Sequence, residues 1–165
     1  DRVYECAAGG EKICTYGKLI HNRQVVGELE EMGVKAYDNI KDVPEGTKVI
    51  IRTHGAPKEI FDYLEENKIE YEDLTCPFVE KIHKIVAEHH ADCEKIIIVG
   101  DKNHPEVIGI NGHCDNSALV IYDTETKIPE DFIKNPCCVV VQYVMRQQSV
   151  RRRQLLWRPK ATLCS

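Results

Sequence analysis

The sequence predicts an α/β fold of two consecutive βαβ-type units with parallel sheets, and three observations carry that prediction. Runs of β-branched residues alternate with stretches at helical spacing, the pattern of parallel strands joined by helical crossovers. Turn signals such as Gly33 and Pro44-Glu45-Gly46 punctuate the runs. Short polar motifs stand where strands stop: Thr53-His54-Gly55, Thr75-Cys76-Pro77 and Asn103-His104-Pro105-Glu106. In open parallel sheets, ligands bind outside the carboxyl ends of the strands, so these motifs are the first candidates for a site.

Residues 12–16 read as a short strand ending at Gly17. A helix over 22–32 places Val25, Val26, Leu29 and Met32 at helical spacing, with Gly33 as its stop. Residues 34–37 form a second, weaker strand. The turn at Pro44 introduces a buried strand over 48–52, and a helix over 57–66 carries Ile60, Phe61 and Leu64 on one face. Residues 69–74 return as a strand. Pro77 suits a first helical position, and Phe78, Ile82, Ile85 and Val86 predict an apolar stripe running to about His90. Residues 95–99 form the strongest strand, a short helix follows His104-Pro105-Glu106, and 119–122 and 138–141 complete the set. No internal repeat stands out. The expected division is a first unit over 1–75, a second over 76–142, and a basic tail over 143–165.

Composition narrows the function classes. At 42% hydrophobic and 30% charged residues the chain is globular in type, and charges interrupt every apolar run before it reaches membrane-spanning length. It opens Asp1-Arg2-Val3-Tyr4-Glu5, without the basic start and apolar core of a secretory signal, so a cytoplasmic protein with no membrane partner is expected. The eight cysteines form no CxxC pair and no zinc-ribbon spacing, and most are read as small buried hydrophobes. Net charge is −5, yet no acidic residue follows Asp131 while Arg146, Arg151, Arg152, Arg153, Arg158 and Lys160 crowd the end. A basic arm of that kind suits nucleic acid or phosphate. No nucleic-acid partner is expected, because the tail reads better as a translated frameshift.

Five positions offer chemistry. Cys76 precedes Pro77 at a helix start, where unpaired N–H groups and the helix dipole favour a thiolate, although a capping or buried cysteine fits as well. His54 sits at a tight strand exit beside Gly55, able to donate to a phosphate, ligate a metal or fill a turn. His21-Asn22 stands at a helix start, where a cap is the alternative. His104 and Glu106, held apart by Pro105, present an imidazole and a carboxyl together, a pairing suited to proton delivery or to part of a metal site. His83, His89 and His90 are read as surface or C-terminal dipole partners of their helix. Cys137 and Cys138 are read as strand packing, because adjacent side chains point to opposite faces.

The order of the motifs is more specific than any one of them. Leu19-Ile20-His21-Asn22 with Val25-Val26, Thr53-His54-Gly55, Thr75-Cys76-Pro77-Phe78-Val79 with Lys81 and His83, and Gly100-Asp101-Lys102-Asn103-His104-Pro105-Glu106-Val107 with Gly109 closely resemble the LytB family of 4-hydroxy-3-methylbut-2-enyl diphosphate reductases, nearest to its clostridial type. The resemblance runs over about residues 1–141. It implies a three-unit α/β architecture around a 4Fe-4S cluster. It also implies reduction of an allylic diphosphate to isopentenyl and dimethylallyl diphosphates in the non-mevalonate isoprenoid pathway, with electrons from an external donor such as ferredoxin or flavodoxin. By the same resemblance Cys76 is a cluster-ligating cysteine, and His21, Asn22, His54 and His104 bind substrate. His104 and Glu106 carry the catalysis, Glu106 delivering a proton as the hydroxyl leaves as water. Histidine donors suit a diphosphate through charge-assisted hydrogen bonds.

The sequence departs from the family at both ends. The family's first cysteine loop has no counterpart, since Cys6 and Cys14 lie too late to match it. After Gln142 the family's two threonines are replaced by Tyr143-Val144. A third unit, with its cysteine and diphosphate contacts, is absent. The expectation is therefore an incomplete reductase, with two units of three, that neither holds a stable cluster nor turns over alone. The alternatives are a diphosphate-binding module without catalysis, using His21, His54 and His104, and a zinc hydrolase built on His54, His104, Glu106 and Cys76.

Overall fold

Every strand finds a parallel partner, as the β-branched runs require. The computed structural model describes residues 2–17, 23–123 and 125–143, and His21, Asn22 and the tail from residue 144 lie outside the described residues. The chain divides into two units, Asp1–Cys76 and Pro77–Ser165.

In the first unit, α1 (Arg2–Ala8) precedes β1 (Ile13–Tyr16), α2 (Arg23–Glu31), β2 (Lys35–Tyr37), a 3-10 turn (Ile40–Asp42), β3 (Lys48–Ile51), α3 (Lys58–Glu66) and β4 (Tyr71–Asp73). Strand order is β2-β1-β3-β4, all parallel, with Tyr16 opposite Tyr37 and Ile51. The order reverses between β1 and β3, which makes that gap the topological switch point. One core joins Cys14, Ile40, Val49, Ile51, Ala56, Ile60 and Leu64. On the other side of the sheet Ile50 packs with Val3, Cys6, Ile13, Leu29 and Val34. The central β3 is thus buried on both faces, as a continuous apolar run predicts.

The second unit runs α4 (Pro77–Ala91), β5 (Lys95–Val99), α5 (Pro105–Gly112), β6 (Leu119–Ile121), α6 (Glu130–Lys134) and β7 (Cys137–Val141). Its sheet order is β6-β5-β7, again parallel, with Val99 opposite Ile121 and Val141. This repeats the β2-β1-β3 arrangement of the first unit, an internal repeat that the residue pattern alone does not display. The switch point here falls between β5 and β7. Val86, Ile96, Ile98, Val107, Ile110, Cys114, Cys138 and Val140 form the core.

Three expectations need correction. The stripe on α4 holds at Ile82, Ile85 and Val86, which pack on the core, but Phe78 is 61% exposed while Val79 and His83 join Val86 in the interior. Those three lie four and three residues apart, on one helical face. His83 therefore belongs to the interior and is no surface or dipole group. Met32 is exposed just past the end of α2 rather than on its buried face. The strand over 69–74 shrinks to β4, because Ile69 is spent on closing α3, its N–H donating to the Leu64 carbonyl. Cys137 and Cys138 behave as alternation demands, half-buried and buried. Among the described residues, no helix is long and apolar enough to cross a membrane.

Candidate functional site at the strand ends

In the first unit the carboxyl ends of four parallel strands bring two of the motifs together. β3 ends at Ile51 and the chain turns through Arg52-Thr53-His54, with Gly55 (φ 76°) donating its N–H to the Arg52 carbonyl at 2.9 Å. β4 ends beside it, and the Cys76 N–H donates to the Thr53 carbonyl at 2.9 Å. Asp73 Oδ1 accepts from both the Thr75 N–H and the Thr75 hydroxyl, which fixes the approach to Cys76. His54 Nδ1 is buried, and Cys76 is half-buried. The two motifs thus share a sheet edge through a backbone hydrogen bond.

β1 leaves the sheet at Gly17 (φ 68°), whose N–H donates to the Tyr37 carbonyl at 2.8 Å. The Thr15 hydroxyl donates to the Gly17 carbonyl at 2.9 Å. The Arg52 guanidinium covers this glycine from across the switch point. Burial holds its pKa below the ordinary arginine value, opposed by Tyr16 and Asp38. A guanidinium still keeps its charge at physiological pH.

In the second unit β5 ends at Val99 and the chain turns through Gly100 to His104, the N-cap of α5. His104 Nδ1 accepts from the Glu106 N–H at 3.1 Å, so the neutral ring carries its proton on Nε2. Nε2–H is accordingly the donor that His104 has left to offer in this geometry. Glu106 is fully buried at 0% exposure, and its Oε1 accepts from the Tyr143 N–H at 2.5 Å. Gln142, 2% exposed, accepts from the Asp101 N–H through Oε1 at 3.1 Å. The Tyr143 ring stacks on Phe78 with centroids 5.1 Å apart.

Five residues are not read as candidate site residues from the sequence: Arg52, Gln142, Tyr143, and His83 with His113, whose rings stack 4.2 Å apart. One signal was available. Gly17 stands four residues before His21, and Gly100 stands four before His104, each glycine directly after the first strand of its unit.

Metal ligation is a separate matter. Among the described residues no group of three or more His, Cys, Asp or Glu side chains is arranged to hold a metal ion. Cys6, Cys14, Cys114 and Cys138 are buried in the cores, where burial pushes the Cys14 thiol up to about 11 and raises that of Cys114. Cys76 is the one thiol at the strand-end motifs. A four-iron cluster takes several thiolates, so the described residues do not fit such a cluster by themselves. A zinc site finds no ligand group among them either.

Comparison with known proteins supplies the frame. The family model described as LytB protein matches residues 1–160. The 4-hydroxy-3-methylbut-2-enyl diphosphate reductase of Thermoanaerobacter sp. (strain X514) is 43% identical over 132 residues, 79% of this chain and 46% of that protein. That of Clostridioides difficile (strain 630) is 44% identical over 131 residues, 79% and 47% of the two chains. This chain therefore spans about half the length of the curated relatives it matches. A solved structure of (E)-4-hydroxy-3-methyl-but-2-enyl diphosphate reductase, the terminal enzyme of the non-mevalonate pathway, is similar with a TM-score of 0.69. It is 31% identical and is matched over 90% of this chain and 57% of that one. The Plasmodium falciparum reductase structure, at 24% identity and a TM-score of 0.75 over 98% of this chain and 54% of that one, supports the fold. On the family match and the ordered strand-end motifs together, the chain belongs to the LytB family.

Proposed function

We propose that this chain carries the diphosphate-binding and proton-delivering portion of a 4-hydroxy-3-methylbut-2-enyl diphosphate reductase. The observation that supports the reading best is the cap on α5. It holds an imidazole and a fully buried carboxyl two residues apart at the carboxyl end of a parallel sheet. His104 offers Nε2–H to an anionic oxygen, and Glu106, fully buried, delivers a proton to the departing hydroxyl. His54, on the first unit's strand ends, and His21 with Asn22 supply further donors to the diphosphate. Cys76 is the thiolate this chain would contribute to an iron–sulfur cluster completed by residues outside those described. A donor of the ferredoxin or flavodoxin class would serve that cluster, and the cytoplasm is the compartment we assign.

A second reading, diphosphate binding without turnover, is favoured by the single thiol at the strand ends. Calorimetric titration with inorganic diphosphate and with the allylic diphosphate tests both. Saturable binding that His54→Ala and His104→Ala each weaken is expected. Binding of neither ligand by the unaltered chain would refute both readings.

A further inference from the structure

The two units share a device at their switch points. In the second unit, a Cβ built on Gly100 would lie 2.8 Å from Gln142 Cβ, 2.8 Å from Gln142 Oε1 and 2.8 Å from Val107 Cγ2. Gln142 is the first residue beyond β7, and it reaches across to the first residue beyond β5. Its N–H donates to the Val99 carbonyl and its Oε1 accepts from Asp101, so backbone and side chain together pin the exit of β5. That exit leads directly to His104.

The first unit has the same construction with different chemistry. Arg52 is the first residue beyond β3, and Gly17 is the first beyond β1. A Cβ on Gly17 would meet Arg52 Cζ at 2.8 Å, Nη1 at 2.8 Å and Nη2 at 3.0 Å. The backbone matches too: the Gly17 N–H donates to Tyr37, the last residue of β2, as the Gly100 N–H donates to Ile121, the last of β6. In both units, then, the residue after the third strand seals a glycine after the first strand. In both, a histidine follows that glycine by four residues, His21 and His104. A flat guanidinium against a bare Cα leaves no room for any other residue at position 17 without displacing the arginine.

We propose that Arg52 is a positioning residue for the first unit's anion site. Seated on Gly17, it fixes the exit of β1 against the turn that carries Thr53-His54, as Gln142 seated on Gly100 fixes the exit of β5. This rests on the diphosphate-binding reading given above. Arg52 does more than fill space in this arrangement: it ties β3, which carries Thr53-His54, to β1 across the crevice where ligands of such sheets bind.

Two measurements on the intact polypeptide test it. The first is amide exchange at Gly17, bonded to Tyr37, and at Gly55, bonded to Arg52. Arg52→Ala and Gly17→Ala should each accelerate both amides by about tenfold with β5 amides unchanged. Arg52→Gln, which installs the second unit's own sealing residue, should stay within about threefold of the unaltered protein. The second is calorimetric affinity for inorganic diphosphate. Arg52→Ala should lower it about tenfold, and the Arg52→Ala/Gly17→Ala double variant should be no weaker than either single one, as for two parts of one device. Unchanged exchange in Arg52→Ala would overturn the proposal, and so would affinity losses that add in the double variant. If the unaltered protein binds no diphosphate, the anion-site role and the functional reading fall together, while the exchange result still decides whether the seal exists.

Discussion

Replacing His83 with leucine should flatten the acid sensitivity of the second unit. His83 lies on the buried face of α4 at 5% exposure, with its ring stacked on His113. Among the described residues its buried Nε2 has no hydrogen-bond partner. Burial, and then the neighbouring His113, push its pKa down from 6.5 to about 3. The folded state therefore prefers the neutral ring, and the unfolded chain takes up a proton first as pH falls. Stability is intact above about pH 6.5 and is lost progressively toward pH 3. At 1.36 kcal/mol per pH unit the whole window is worth roughly 5 kcal/mol, and the part between pH 7.5 and 5 about 2 kcal/mol. Native-state exchange of the β5 amides, read at those two pH values after correction for intrinsic rates, isolates this unit from the first. His83→Leu should lose about 2 kcal/mol less than the unaltered protein over that interval. Equal losses in the two proteins would refute the reasoning, because no proton uptake would then be linked to this ring.

Three further outcomes are expected. Leu64→Ala, at a fully buried position in the first unit's core, should cost roughly 2–5 kcal/mol by urea denaturation, and a loss within experimental error would mean that the core is not packed as described. His104→Ala should lose about 0.5–2 kcal/mol of α5 capping together with diphosphate affinity, whereas His104→Asn should recover the stability and not the affinity; recovery of both would remove the imidazole from the site. Anaerobic reconstitution with iron and sulfide should leave the 165-residue chain without a stoichiometric 4Fe–4S cluster by absorbance and iron count, because its described residues present one thiol at the strand-end motifs, and a full cluster would contradict that reasoning.

Much of the architecture was legible because periodicity is a local property. Residues 95–99 are predicted as a strand and form β5 as Lys95–Val99. The helix opened by Pro77 runs to Ala91, close to its predicted end. The short elements escaped: α6 is five residues long and the Ile40–Asp42 turn three, too few for a period to register. The exposure of Phe78 and the burial of His83 on α4 had a different cause. Phe78 is apolar and His83 polar, so hydropathy misplaces these two at the rim of an otherwise correct face, and only packing, with His83 stacked on His113, decides them. Of the candidate site, the strand-end positions of residues 54, 76 and 104 could be read from the residue pattern. The cap through His104 Nδ1 could not, because it depends on a side-chain rotamer.

By itself the sequence determined the α/β class, the order of the strands and of helices α2 to α5, and membership of the LytB family through four motifs in series. Each of these follows from residue type and spacing along the chain. Only the tertiary structure decided that the second sheet repeats the first, that His83 is an interior group, and that Arg52 and Gln142 seal matching glycines. Those facts depend on which strands lie side by side. Parallel pairing joins strands that are distant in the chain and carries no mark in either segment alone.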